Sequence, residues 1–373
     1  MQKGIIISGT KREYQVYIHS SKNIKKAVVR KTLIYKFGPL FVGDEVDIDE
    51  DETICNLYPR KNRLIRPKVA NVSYAAICTS TAEPSFTSYL LEKYLTYLIY
   101  CHVTPLILFT KTDMLDNNEL TRILSYKKYY ETLGYKTFMI STKNSETFMP
   151  LKEIIKDKNV IFMGQTGVGK SSSLNMIDPT LERKIGEYSK ALGRGKHQTK
   201  EVVLFPYQNG FIGDTPGFSS LELPMKQDEL AACFPGFENF AHLCFYTDCL
   251  HIFEKKCEVK KHIEEGFISK ESYENYKKML EIIGNLTLLF SESDCPYLPY
   301  RCHENIFCKY FEAANLGRMD CSADAKKNGI GIGLKTWMGS DDQKVAEFGR
   351  LRPEYEDLSG IELVRQIAIY RNE

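Results

Sequence analysis

The chain has almost no charge imbalance, no long apolar run and no leader-like start, and each shortage excludes something. Fifty Lys and Arg against 48 Asp and Glu leave a formal net charge of +2. That gives no global case for nucleic acid, so any basic face must be local. No stretch is apolar for long enough to cross a bilayer, so no membrane partner is expected. The opening "MQKGIIISGTKREY" has a short apolar run and turns charged at once. Neither a secretory leader nor a transit peptide is expected, and a cytoplasmic location is. In a reducing compartment the 11 cysteines point to metal where they cluster rather than to disulfides. At 373 residues the chain exceeds what one compact domain usually holds, so two or three are expected.

Residues 1 to about 70 read as short strands with turns between: "GIIIS", "EYQVYIHS", "KAVVRKTLIY" and "DEVDID". A small barrel of the OB type suits them, and such barrels often bind RNA. The segment closes on "YPRKNRLIRPKVANV", with Arg60, Lys61, Arg63, Arg66 and Lys68 and no acid. A solvated linker and a phosphate-contacting patch are both open readings. From Ala70 the texture changes. Strand-length apolar runs ("YAAICTS", "VTPLILFT", "NVIFMG") alternate with helix-like stretches, which predicts a mostly parallel sheet covered on both faces. After about Pro224 the strands stop and helical, Cys-bearing sequence follows.

Two loops carry the chemistry. "MGQTGVGKSS" from Met163 follows a strand and opens a helix, the context a phosphate-binding loop needs. Gly164, Gly167, Val168 and Gly169 let backbone N–H groups close around phosphates. Lys170 brings a cation to them, with Ser171 and Ser172 beginning the helix and the Ser171 hydroxyl suited to Mg²⁺. About 45 residues on, "DTPGF" supplies Asp214, placed to reach Mg²⁺ through water, and Gly217, whose N–H suits a γ-phosphate. Between them "GRGKHQT" offers Thr199 as the residue that closes over Mg²⁺. The second loop comes earlier in the chain. Thr110-Lys111-Thr112-Asp113 has the form of a guanine-reading loop, with Asp113 accepting from guanine N1 and N2 and Lys111 packing over the base. Ser141 and Thr142 of "ISTKN" follow the next strand as a second base loop. The usual GTPase set is present but cyclically shifted, which a fold with neighbouring termini tolerates.

In that order the motifs resemble the circularly permuted GTPases of the RsgA/YjeQ type, which depend on the small ribosomal subunit. "RKNRLIRPKVANV", "GQTGVGKSSSLN", "GRGKHQT" and "DTPGF" carry the resemblance, which covers residues 1 to about 288. It implies a multidomain fold: an OB-fold β-barrel at 1–69, a permuted α/β P-loop GTPase at 70–223 and a small helical zinc-binding domain at 224–290. It implies binding to the small ribosomal subunit and its rRNA, with GTP hydrolysed to GDP and phosphate during late maturation; a monomer is expected. Thr110 stands where the family usually has Asn, and Gln198 where it usually has Thr. Phe218 follows the D-x-x-G motif and cannot orient water. His197 of switch I, whose counterpart has been proposed for that role, therefore joins Lys170 and Thr199 as a catalytic candidate.

"HLCFYTDCLHIFEKKCEV" places Cys244, Cys249, His251 and Cys257 within fourteen residues, in the spacing C-x4-C-x-H-x5-C. Three thiolates and one imidazole suit one closed, structural Zn²⁺ site, and the spacing matches the family's zinc motif. Residues 291–373 form an extension of unknown role, where Cys295, Cys302, His303 and Cys308 leave a second metal open. A nucleotide-gated RNA-binding scaffold with negligible turnover stands as the alternative function, kept open by Phe218 and Gln198. A P-loop ATPase or kinase fares poorly because Asp113 reads guanine.

Overall fold

The computed structural model describes residues 1–9, 13–181, 202–215, 221, 223–287, 314–315, 325–327 and 330–332. Chain contacts divide it into residues 1–283 and residues 284–373.

The first part is a closed barrel of β1 (Gln2–Gly9), β2 (Glu13–Ile18), β3 (Ile24–Val29), β4 (Glu45–Ile48) and β5 (Thr53–Leu57), in the order β1-β2-β3-β5-β4. Alternation along β2 and β4 sends Val16, Ile18, Val46 and Ile48 inward, where they meet Ile6 and Ile54. The stretch "KTLIYKF" departs from its strand-like reading: Lys31–Phe37 is a helix. Its Leu33 alone is buried, on the barrel core, so tertiary packing outweighs β propensity.

The basic run after the barrel divides in two. Arg60 forms a forked pair with the fully buried Asp44 (2.6 and 2.7 Å) and lies over the Phe41 ring. A bidentate charge-assisted pair of this kind is structural. Lys61, Arg63, Arg66 and Lys68 are exposed. The short pair β6 (Arg63–Leu64) and β7 (Val69–Ala70) lies between. Asn71 welds this junction: its side chain accepts from Lys61 N–H (2.8 Å) and donates to the Gly43 carbonyl (2.9 Å).

A six-stranded sheet follows, built from β8 (Tyr74–Ser80), β9 (Thr104–Thr110), β10 (Lys136–Met139), β11 (Asn159–Met163), β12 (Val203–Tyr207) and β13 (Gly210–Asp214). Its order is β10-β9-β8-β11-β13-β12, and all neighbours are parallel except β12 with β13. The central strands are apolar on both faces because helices cover both. Helices Ser88–Tyr100 and Asn117–Thr132 pack on one side through Leu91, Leu95, Leu98 and Ile123. Met149–Ile155 and Lys170–Ile177 cover the other through Leu151, Ile155, Leu174 and Ile177. No described helix is long and apolar enough to cross a membrane.

Residues 223–287 are helical, with Gln227–Cys233, Glu258–Glu264 and Lys270–Thr287 around a core of Phe234, Phe237, Ile268 and Tyr276. This module packs on the Ser88–Tyr100 helix through a buried carboxylate. Glu92 is fully buried and accepts from Ser272 Oγ, Asn275 Nδ2 (2.7 Å) and Tyr130 Oη (3.3 Å). Burial pushes its pKa up from 4.5 to about 7, against the pull of these donors. Between those values the folded protein holds a proton that the unfolded chain has released. Stability therefore falls as pH rises through that window, by up to about 3 kcal/mol. Glu92→Gln, which keeps the shape without the charge, is expected to remove most of this fall; urea midpoints at pH 5 and pH 8 check it.

In the C-terminal unit, β14 (Ala314–Asn315), β15 (Ala325–Lys327) and β16 (Ile330–Ile332) form a small antiparallel sheet. Cys295, Cys302, His303 and Cys308 lie outside the described residues.

Candidate functional site

The permuted order is resolved by the sheet, because β8, β9 and β11 are neighbours whose carboxyl ends share one edge. The phosphate loop leaves β11 and the base loop leaves β9, so loops far apart in sequence meet there, the usual place for ligands on a parallel sheet.

Gly164, Gly167 and Gly169 have φ of 139°, 82° and 94°. At Gly164 a Cβ would sit 2.3 Å from the Cys78 carbonyl of β8, so the loop seats on its neighbour strand only with glycine there. Val168 is buried beneath the loop. Gly169 caps the Lys170–Ile177 helix, which Ser171 and Ser172 continue. The Lys170 ammonium folds back onto the carbonyls of Gly164 (2.9 Å) and Gln165 (2.8 Å). Burial holds its pKa below the usual lysine value.

Asp214 ends β13 beside this helix. Burial pushes its pKa up to about 6. Its Oδ2 accepts from Ser171 Oγ at 3.4 Å, and its Oδ1 is buried with no hydrogen-bond partner among the described residues. A buried, half-satisfied carboxylate next to a serine hydroxyl is an oxygen donor set that fits Mg²⁺. Gly217, His197, Gln198 and Thr199 lie outside the described residues.

On the base side, Thr110 is buried and its hydroxyl donates to the Val168 carbonyl (2.6 Å), joining base loop to phosphate loop. A hydroxyl thus reaches the phosphate loop from the position where the family usually has Asn. Lys111 is in the left-handed region (φ 59°) and its ammonium donates to the Glu83 carbonyl. Asp113 Oδ1 accepts from Ser141 Oγ (2.7 Å) and Oδ2 pairs with Lys143 (3.0 Å). These contacts hold its pKa below the usual carboxylate value. Thr142 follows Ser141 as an exposed loop residue. Lys143 escaped the sequence reading, although it adjoins Ser141 and Thr142.

The Cys/His cluster converges as its spacing requires. The ligand atoms of Cys244, Cys249, His251 and Cys257 all lie within 4.8 Å of one another. Cys244 Sγ is 3.6 Å from His251 Nδ1 and 3.9 Å from Cys257 Sγ, and His251 Nδ1 is 3.3 Å from Cys257 Sγ. Zinc bonds of usual length give tetrahedral edges of about 3.8 Å for S···S and about 3.6 Å for S···N. The cluster therefore fits one tetrahedral zinc. Burial pushes the Cys249 thiol up to about 12 and raises that of Cys257.

A five-stranded barrel, a permuted P-loop sheet carrying phosphate and guanine loops, and a helical module with a zinc-type cluster define a circularly permuted GTPase. Comparison with known proteins agrees. The sequence profile of the RsgA GTPase family matches residues 57–224. The chain is 41% identical over 253 residues to Small ribosomal subunit biogenesis GTPase RsgA 2 of Oceanobacillus iheyensis, spanning 66% of this chain and 86% of the relative. It is 38% identical over 291 residues to Small ribosomal subunit biogenesis GTPase RsgA of Pediococcus pentosaceus, spanning 76% and 94%. Among solved structures, YjeQ from Thermotoga maritima superposes with a TM-score of 0.65 at 29% identity, covering 76% of this chain and 98% of that one. YloQ, described as a circularly permuted GTPase, gives 0.62 at 30% identity, covering 76% and 96%. The chain belongs to the RsgA GTPase family. It is a GTP hydrolase, and GTP, GDP and Mg²⁺ come with that class.

Proposed function

We propose that this GTPase binds the small ribosomal subunit during its late maturation and hydrolyses GTP when that subunit stimulates it. The observation that carries this reading is the joining of guanine loop and phosphate loop on one sheet edge by the Thr110–Val168 bond. The relatives named as small ribosomal subunit biogenesis GTPases supply the partner. The domain limits proposed are 1–69, 70–223 and 224–290, with 291–373 as an extension. A monomer in the cytoplasm fits this work.

In the proposed mechanism Asp113 reads guanine N1 and N2, with Ser141 and Lys143 orienting its carboxylate. Lys111 packs on the base, and Ser141 and Thr142 close its edge. The backbone from Gly164 to Ser172 cradles the phosphates. Lys170 leaves its loop carbonyls for the β- and γ-phosphates and neutralises the charge that gathers there. Ser171, Thr199 and Asp214 would hold Mg²⁺, which supplies further charge neutralisation across those phosphates. Gly217 is the residue whose N–H would bond the γ-phosphate. Water attacks the γ-phosphorus in line, the bond to the β–γ bridging oxygen breaks so that GDP leaves, and the attacking water's proton passes to the released phosphate and solvent. His197 positions that water, since Phe218 offers no polar atom. Exposed Lys61, Arg63, Arg66 and Lys68 serve rRNA phosphates. The zinc site is structural.

Co-sedimentation with purified small subunits tests the partner. More protein is expected to pellet with a non-hydrolysable GTP analogue than with GDP. Equal, weak pelleting in both would remove the ribosomal reading. Phe218 favours one second reading, a nucleotide-gated scaffold, for which pelleting depends on nucleotide but turnover stays negligible.

A further inference from the structure

The segment Thr81–Thr87 joins β8 to the Ser88–Tyr100 helix and lies between the two nucleotide loops. Thr81 donates both its backbone N–H (3.1 Å) and its hydroxyl (2.9 Å) to the carbonyl of Thr110. The Glu83 carbonyl accepts from Lys111. Pro84, Ser85 and Thr87 share a small cavity with Gln165 and Val168 of the phosphate loop. The segment is backed by Phe86, which is buried against Phe109 (5.6 Å between ring centres) and Tyr126 (4.8 Å). A shift of this segment would move the base loop and the wall of the phosphate loop together.

The residue that follows the segment is gripped by the Cys/His module. Ser88 is the first residue of its helix and is buried. Its hydroxyl donates to Glu271 and accepts from Asn275 Nδ2 (3.0 Å). Glu271 and Asn275 are one turn apart on the module's helix Lys270–Thr287. The same two residues brace the neighbours. Glu271 also accepts from Tyr126 Oη (2.9 and 3.0 Å), the ring behind Phe86, and Asn275 also donates to buried Glu92 (2.7 Å). One hydroxyl, satisfied on both sides by another module, thus fixes where the segment meets its helix.

We infer that Ser88 is a positioning residue for the nucleotide site, coupling the Cys/His module to the guanine and phosphate loops through segment 81–87. The inference rests on the assignment of those loops given above. Coupling of this kind is reciprocal. A partner that strains the module changes nucleotide affinity, read here through release, and bound nucleotide changes affinity for that partner by the factor by which nucleotide affinity changed.

The test is release of a fluorescent GDP from the full chain, without ribosomes, for wild type, Ser88→Ala, Ser88→Thr and Tyr135→Phe. Tyr135 donates to Glu238 (2.5 Å) at a different contact between sheet and module, so Tyr135→Phe loosens docking away from the segment. Ser88→Ala is expected to speed GDP release five- to twentyfold, Ser88→Thr to restore most of it, and Tyr135→Phe to leave it within twofold. Melting temperature is followed for each variant, because a merely structural role lowers it without selectivity for release. Release from Ser88→Ala within twofold of wild type overturns the inference. So does equal acceleration in Tyr135→Phe. If the wild type binds ADP as tightly as GDP, the loop assignment itself falls, and the inference with it.

Discussion

Cys257→Ala is expected to cost the protein its zinc and to unfold the loop from Cys244 to Cys257. The site brings three sulfurs and one imidazole nitrogen together, and the loop is otherwise held by single hydrogen bonds, among them the Glu254 carboxylate accepting from the N–H groups of Leu250, Ile252 and Phe253. Two tyrosines of the long helix reach it, Tyr273 to the His251 carbonyl and Tyr276 to the Leu250 carbonyl, each at 2.6 Å. Each such bond is worth about 1 kcal/mol. A structural zinc site contributes on the order of 10 kcal/mol in small domains, comparable to the whole stability of a typical domain. Without it the module loses its closure while Phe234, Phe237 and Tyr276 still pack. Trypsin should then cut at Lys255 and Lys256. The melting temperature should fall by about 20 °C or more, and metal analysis should find less than one zinc per chain. GDP binding should survive, because the sheet and its loops are built from other residues. Full zinc content and unchanged melting in Cys257→Ala would contradict the assignment.

Asp113→Asn is expected to lower GDP affinity about a thousandfold or more. Asp113 is exposed enough to meet a base, and Ser141 and Lys143 hold its carboxylate ionised. An ionised carboxylate presents two acceptors to guanine N1–H and N2–H₂. An amide turns one acceptor into a donor, so one bond is lost and two donors face each other. Sites built to hydrogen-bond a ligand reject the mismatched partner by factors of about 10⁴. Xanthine carries a carbonyl in place of the guanine amino group, so the same variant should prefer XDP. Competition of GDP, XDP and ADP against a fluorescent nucleotide measures this. A loss under tenfold would mean that Asp113 does not read the base.

These loops were legible in the sequence because their chemistry is local. Glycines with positive φ, a lysine and a serine must follow one another to cradle phosphate, and the four Cys and His residues of the metal-type cluster sit within one short loop. Their flanking apolar runs marked the strands that place them. What stayed hidden depends on contacts across the chain. Ser88 and Glu271 are 183 residues apart, and Glu92 and Asn275 equally so. In sequence Glu92 is an ordinary helical acid, and only the docked module makes it buried. Arg60 read as one of five like charges until Asp44 claimed it. The helix Lys31–Phe37 carries β-prone residues and no side-chain cap, so only the barrel beneath it reveals its conformation.

The most direct measurement of the central claim is steady-state GTP hydrolysis by the purified protein, with and without purified small ribosomal subunits, repeated with His197→Ala. Strong stimulation by the subunit, lost in the variant, is the expected result: the protein is then a GTPase triggered by its ribosomal partner, with His197 positioning the water. Tight GTP binding with no stimulation by the subunit would contradict it and leave a nucleotide-gated scaffold in its place.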